Sequence, residues 1–257
     1  MSTIEALGLA LLLLMIIVGG KQGIKSFVSL LTNFLLLWLA LLLIKLKLPI
    51  IPTTLIIGAV VLAVTIYLGS DNMLSAQTAF VASLLVMILV AFVIVPVEHW
   101  ARVQGFGTED AEEIVGFSLQ IGIPFLQMSI AAAIFSTLGA IAEASMAIAT
   151  ACYTLIKQNE QMTPQQLYHD GITAGKDIIG TTLNTLFFGF FGGFLALFIW
   201  FVGLHYRWGT VINDKVFIAE ILLILFAIIG VVLTVPVTAW LMSKQLHAQQ
   251  IDNKHNK

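Results

Sequence analysis

The sequence predicts an all-α, polytopic membrane bundle of about seven transmembrane helices, with interfacial or re-entrant helices beside them. Three observations predict it. The chain of 257 residues is 59% hydrophobic with a mean hydropathy of +1.01. Only 10% of its residues are charged, against roughly 25% in soluble domains, too few to cover a soluble surface. The apolar stretches are also continuous rather than alternating: Leu11 to Val18, Leu35 to Ile44 and Leu84 to Val95 are apolar on every face. Inside hydrocarbon only helices and closed barrels satisfy the backbone, and barrel strands would alternate with period 2, so helices are selected.

The first expected span covers residues 4–19. No Lys or Arg precedes it and no A-x-A site follows, so it reads as a permanent span and not as a cleaved signal. Gly19, Gly20, Lys21, Gln22, Gly23, Ile24 and Lys25 make a glycine-rich turn, and a second span follows over 27–44. Lys45 and Lys47 suit the interface, and Pro49 and Pro52 restart the chain for a third span over 50–68. Gly69, Ser70, Asp71 and Asn72 form a polar turn before a fourth span, 76–97, which closes at Glu98, His99 and Trp100. Residues 105–113 are an acidic loop carrying Glu109, Asp110, Glu112 and Glu113. Gly116, Gly122 and Pro124 break the stretch 114–125, which reads as an interfacial or re-entrant helix.

A fifth span starts near Leu126 and reaches at least Ala142, with apolar character continuing to Ile156. That length demands either strong tilt or a break near Gly139 to Ser145. Thr163, Pro164, Gln165 and Gln166 resemble a helix start and predict a short surface helix. The sixth span covers 177–202 and the seventh 216–242, interrupted by Pro236. Residues 1–243 thus form one helical membrane domain, and 244–257 a polar, fraying tail. An odd number of spans puts the termini on opposite sides. With the C-terminus inside, seven of the 12 Lys and Arg lie inside and five outside, a small excess in favour of a cytoplasmic C-terminus.

The net charge of −2 leaves no basic footprint for nucleic acid. Cys152 is the single cysteine and reads as a packed small side chain. The five His residues are scattered, with no i, i+4 pair, so neither a metal site nor a cofactor is expected. Motifs for an intramembrane protease and for ATP binding are both missing, so no catalytic residue and no enzymatic activity are expected.

The informative residues are those that lipid should exclude. Ser129, Ser136, Glu143 and Thr150 recur every seven residues and stack on one helix face among small residues such as Gly139 and Ala140. Glu143 is the one acid in that long apolar run, and reads either as part of a functional site or as the cap of a helix that begins anew after Gly139. In the next span Asp177, Thr181 and Asn184 share a face, with Lys176 and Thr185 beside them. Asn184 stands about two turns into an apolar span and needs a partner, either a neighbouring helix or a ligand. Together with Ser145, these residues form the candidate intramembrane polar site: Glu143, Ser145, Thr150, Lys176, Asp177, Thr181, Asn184 and Thr185. Gly189 and Gly193 make a G-x-x-x-G that permits close helix crossing.

The run from Gly139 through Glu143 to Ala151, followed by Gly175 to Thr181 and then Asn184 to Leu186, resembles the YibE/F family of bacterial membrane proteins. The turn from Gly19 to Ser26 resembles that family too. The short length is similar to its smaller, YibF-type member, which accompanies a YibE-type partner in some Gram-positive bacteria. Relative to the family pattern, Glu143 stands for an Asp, Ala147 for a Ser and Lys176 for an Arg. The resemblance implies a multi-pass protein of the bacterial cytoplasmic membrane and assigns no activity. Two functions fit the residues. One is a permease or channel component whose fifth and sixth spans line a path for a small solute or ion. The other is a non-transporting scaffold, or a subunit of a complex with a YibE-type partner.

Overall fold

A computed structural model describes residues 3–103, 124–159 and 161–255, with side chains to residue 248. The acidic loop expected over 105–113 and most of the expected re-entrant helix, 114–123, lie outside the described residues. Among the described residues every regular element is a helix: α1 Thr3–Lys45, α2 Ile50–Gly69, α3 Met73–Ala101, α4 Phe125–Gln158, α5 Pro164–Gly193, α6 Leu195–Gly203, α7 Trp208–Ile212 and α8 Lys215–His255. Five of these are long and apolar enough to cross a membrane, and a sixth span results when α5 and α6 are taken together across their 53° bend. The chain is a helical membrane protein.

The expected spans 4–19 and 27–44 merge into α1, interrupted at one residue: Gly20 has φ 54° and ψ −130°. That left-handed φ favours glycine. The chain folds so sharply there that a Cβ on Gly23 would overlap the carbonyl of Met15. The glycine-rich turn read from the sequence is therefore a hinge between two arms of α1.

At α4 the structure decides an open alternative. The helix is unbroken from Phe125 to Gln158, because alanine, the best helix former, dominates the stretch around Gly139. At about 1.5 Å per residue it is about 50 Å long, well beyond the ~30 Å hydrocarbon layer. Glu143 therefore stands inside a helix, and its reading as a cap is withdrawn.

The expected short surface helix is not separate from the sixth span. It is the start of α5, opened by a capping box in which the Gln166 backbone N–H donates to Thr163 Oγ1 and the Thr163 N–H to Gln166 Oε1, with Pro164 in the first turn. Gly171 and Gly175 do not end it, because they are packing positions. A Cβ on Gly171 would lie 2.8 Å from Cys152 Sγ and 3.1 Å from the Ala239 Cβ, and one on Gly175 would overlap Val235 of α8. The true break comes after Gly192 and Gly193, at Phe194. There Phe190 stacks on Phe194 with ring centroids 5.4 Å apart and meets Phe198 edge-on at 5.9 Å. The tail expected to fray continues the α8 helix through His255.

The core runs along α4, which packs against α2, α3, α5 and α8. Ile134, Ile141 and Ile148 are fully buried on one of its faces, against Val86, Val90 and Ile94 of α3 and Leu62 and Ile66 of α2. A smaller cluster joins Ala140 and Ala144 of α4 to Ala227 and Val231 of α8 and to Ile178, Ile179 and Leu186 of α5.

Candidate functional site

Opposite its buried face, α4 presents an exposed line: Ala132, Ser136, Gly139, Glu143, Thr150, Thr154 and Lys157. These positions repeat at three and four residues, one stripe of an α-helix. Glu143 lies near the middle of it, and its carboxylate has no hydrogen-bond or ion-pair partner among the described residues.

The exposed stripe of α5 is built in the same way. Leu167, Gly171, Gly175, Thr182 and Phe190 are buried, while Thr173, Lys176, Asp177, Gly180, Thr181, Asn184 and Thr185 are exposed. The Thr181 hydroxyl donates to the carbonyls of Asp177 and Ile178, and Thr185 donates to the carbonyl of Thr181, so both hydroxyls are satisfied within their own helix. The Asn184 amide, the Lys176 ammonium and the Asp177 carboxylate have no partner among the described residues.

The two stripes run at matching depth. Glu143 is about 22 Å from the end of α4, and Lys176 to Gly180 are about 18 to 24 Å from the start of α5, at ~1.5 Å per residue. The packing of Ala140 and Ala144 beside Ile178 and Ile179 fixes this register. Helices α4 and α5 thus bring an acid, a Lys, an Asp and an Asn to the outer surface of one helix pair. Gly139 and Gly180, one on each stripe, have nothing within 4 Å of a built Cβ.

Ser145 does not belong to this surface. It lies two positions from Glu143, hence about 200° around the helix, and is fully buried. Its hydroxyl sits 2.7 Å from Ser83 Oγ of α3 and also contacts the Ala142 carbonyl at 3.0 Å. The seven other candidate residues are exposed; Ser145 is core glue.

Sequence reasoning missed two further polar features. Glu98, read as the interfacial end of a span, is 1% exposed and accepts a hydrogen bond from Ser129 Oγ at 2.9 Å. Ser129 is thereby drawn out of its heptad stripe towards α3. Along α1, Gln22, Ser29 and Asn33 face α2: Gln22 Nε2 donates to the Leu68 carbonyl at 3.0 Å, and Asn33 Nδ2 to Thr65 Oγ1 at 2.7 Å. Their i, i+7, i+11 spacing was readable as a single face. Among the described residues no three His, Cys, Asp or Glu side chains converge as metal ligands.

A family model described as YibE/F-like protein matches residues 7–248. No curated protein and no solved structure matches.

Proposed function

The chain belongs to the YibE/F-like family, and from that premise we propose that it is the membrane subunit of a permease or channel assembly, with its polar path along the outer α4–α5 face. One observation carries this reading: Glu143 is exposed near the middle of a membrane-length helix, level with Lys176 and Asp177, and none of the three has a partner within the described chain. Ionised groups at such a depth cost several kcal/mol in lipid unless they meet protein or water. A second subunit laid over this face would exclude lipid and enclose the polar stripes, leaving the carboxylate, ammonium and amide to line a passage for a small solute or ion. Binding and conduction suit a carboxylate, an ammonium and an amide that face outward with no partner among the described residues.

The second reading, a non-transporting scaffold or subunit of a YibE/YibF-type complex, draws on Gly139 and Gly180. Open glycines on both stripes allow another helix to approach closely, and the polar groups would then be interhelical glue.

Cysteine accessibility separates the two. Single cysteines replace Glu143, Gly180 and Asn184 in a Cys152→Ser background, and membranes are treated with a small charged methanethiosulfonate. A water-lined path is expected to give reaction at all three positions and none at Phe92, an exposed apolar residue of α3. Disulfide crosslinking between chains without reaction with the charged reagent would favour the scaffold. Failure of both would overturn the placement of the path on this face.

A further inference from the structure

At the end of the bundle where α2 finishes, α3 begins and α8 leaves its apolar run, an open groove of about 660 Å³ lies between the helices. Its composition is graded. Phe80, Val81 and Leu241 form apolar walls, while Lys244, Gln245 and Gln77 stand towards the helix ends. Lys244 is the first charged residue after Glu220 along α8, which places it where hydrocarbon gives way to headgroups. Tyr67 lines the groove and Trp240 sits one turn before Lys244, aromatic types suited to that depth.

The polar groups are oriented and not merely present. Lys244 Nζ lies 4.1 Å from the centroid of the Trp240 ring, which steadies the ammonium at the mouth of the groove. The Thr78 hydroxyl donates to Gln245 Oε1. With the amide oxygen so occupied, the two N–H groups of Gln245 remain as donors. Ser243 Oγ donates to the Pro164 carbonyl at 2.7 Å and ties this part of α8 to the start of α5. Among the described lining residues there is one cation and no acid.

We infer that this groove binds one anionic glycerophospholipid, with its phosphodiester at Lys244 and Gln245 and an acyl chain along Phe80, Val81 and Leu241. Charge selects the headgroup. A single ammonium with no acid among the described lining residues favours a lipid of net charge −1, and repels the second, cationic group that a zwitterionic headgroup carries. The apolar walls select a lipid over free phosphate, which would gain nothing from them. The groove is formed by α2, α3 and α8, so it is independent of the α4–α5 face.

Native mass spectrometry of the purified full chain, offered equal amounts of phosphatidylglycerol and phosphatidylcholine with identical acyl chains, tests the inference. The wild type is expected to retain phosphatidylglycerol preferentially, and Lys244→Gln to lose about fivefold of that preference, the worth of one cation at a headgroup. Gln77→Glu, at an exposed helix position, is expected to weaken retention in the same direction and covers the case that Lys244→Gln does not fold. Lys215→Gln, at the opposite end of α8, is the control and should behave as wild type. Equal retention of the two lipids, or unchanged preference in Lys244→Gln or Gln77→Glu, overturns the site. Equal protection against thermal unfolding by millimolar inorganic phosphate and by phosphatidylglycerol would show a bare anion site and overturn the lipid.

Discussion

Ser83 Oγ of α3 and Ser145 Oγ of α4 lie 2.7 Å apart in the buried core, a contact that turns Glu143, two residues earlier, to the outside. The pair agrees with the buried Ile134, Ile141 and Ile148 in the rotation of α4. Hydrogen bonds between membrane helices are worth about 0.6 to 2 kcal/mol, so Ser83→Ala and Ser145→Ala are each expected to lower stability by about that much. The double variant should lose less than the sum, since one shared bond is removed. A double-mutant cycle on detergent unfolding measures it, and additive losses would mean that the bond contributes nothing.

Glycines separate packing from exposure. Gly171→Ala and Gly175→Ala place a methyl against Cys152 and Val235 respectively, and overpacking of this kind costs about 1 to 3 kcal/mol. Gly139→Ala and Gly180→Ala meet open space, and alanine is favoured in a helix by about 1 kcal/mol. The purified protein is therefore expected to lose thermal stability with the first pair and keep or gain it with the second. If another subunit covers the α4–α5 face, the second pair should still weaken assembly in the membrane.

Much of this organisation was legible in the sequence because lipid punishes exceptions. Continuous apolar runs marked the long apolar helices, Thr163 and Pro164 marked the start of α5, and seven of the eight candidate polar residues lie on the exposed stripes of α4 and α5. Rotation was harder. Ser145 stands next to the Glu143 stripe in sequence, and only the packing of α3 against α4 shows that its hydroxyl is consumed inside. Glycine marks both turns and close helix contacts, so the packing role of Gly171 and Gly175 is not readable locally and depends on Val235 and Ala239, more than 50 residues away. Glu98 read as interfacial for the same reason: Ser129, its partner, lies 31 residues on.

Orientation remains an expectation from charge: the slight excess of Lys and Arg on the side of the C-terminus favours a cytoplasmic end for α8. A phosphatase reporter fused after Lys257 is expected to stay inactive, and a fluorescent reporter at the same position to be bright. The opposite pattern would reverse the whole topology.

The last expectation concerns Glu143 and Asn184 themselves. Neither has a hydrogen-bond partner within the described chain, and both lie on outward faces of helices that pack side by side. Among the described residues Asn184 is therefore not interhelical glue. Removing a polar group that has no internal partner forfeits no internal bond, so Asn184→Ala and Glu143→Gln should each change the stability of the isolated subunit by less than about 0.5 kcal/mol. In the assembled membrane form the outcome should differ. Under the proposed function the carboxylate there faces another subunit or a water path, and neutralising it removes the charge while keeping its shape. Glu143→Gln is expected to leave the assembly intact while abolishing charged-solute or ion flux into proteoliposomes, and Asn184→Ala to reduce that flux. A large loss of stability in the isolated Glu143→Gln subunit would place the carboxylate in an internal interaction and remove the basis for a path on this face.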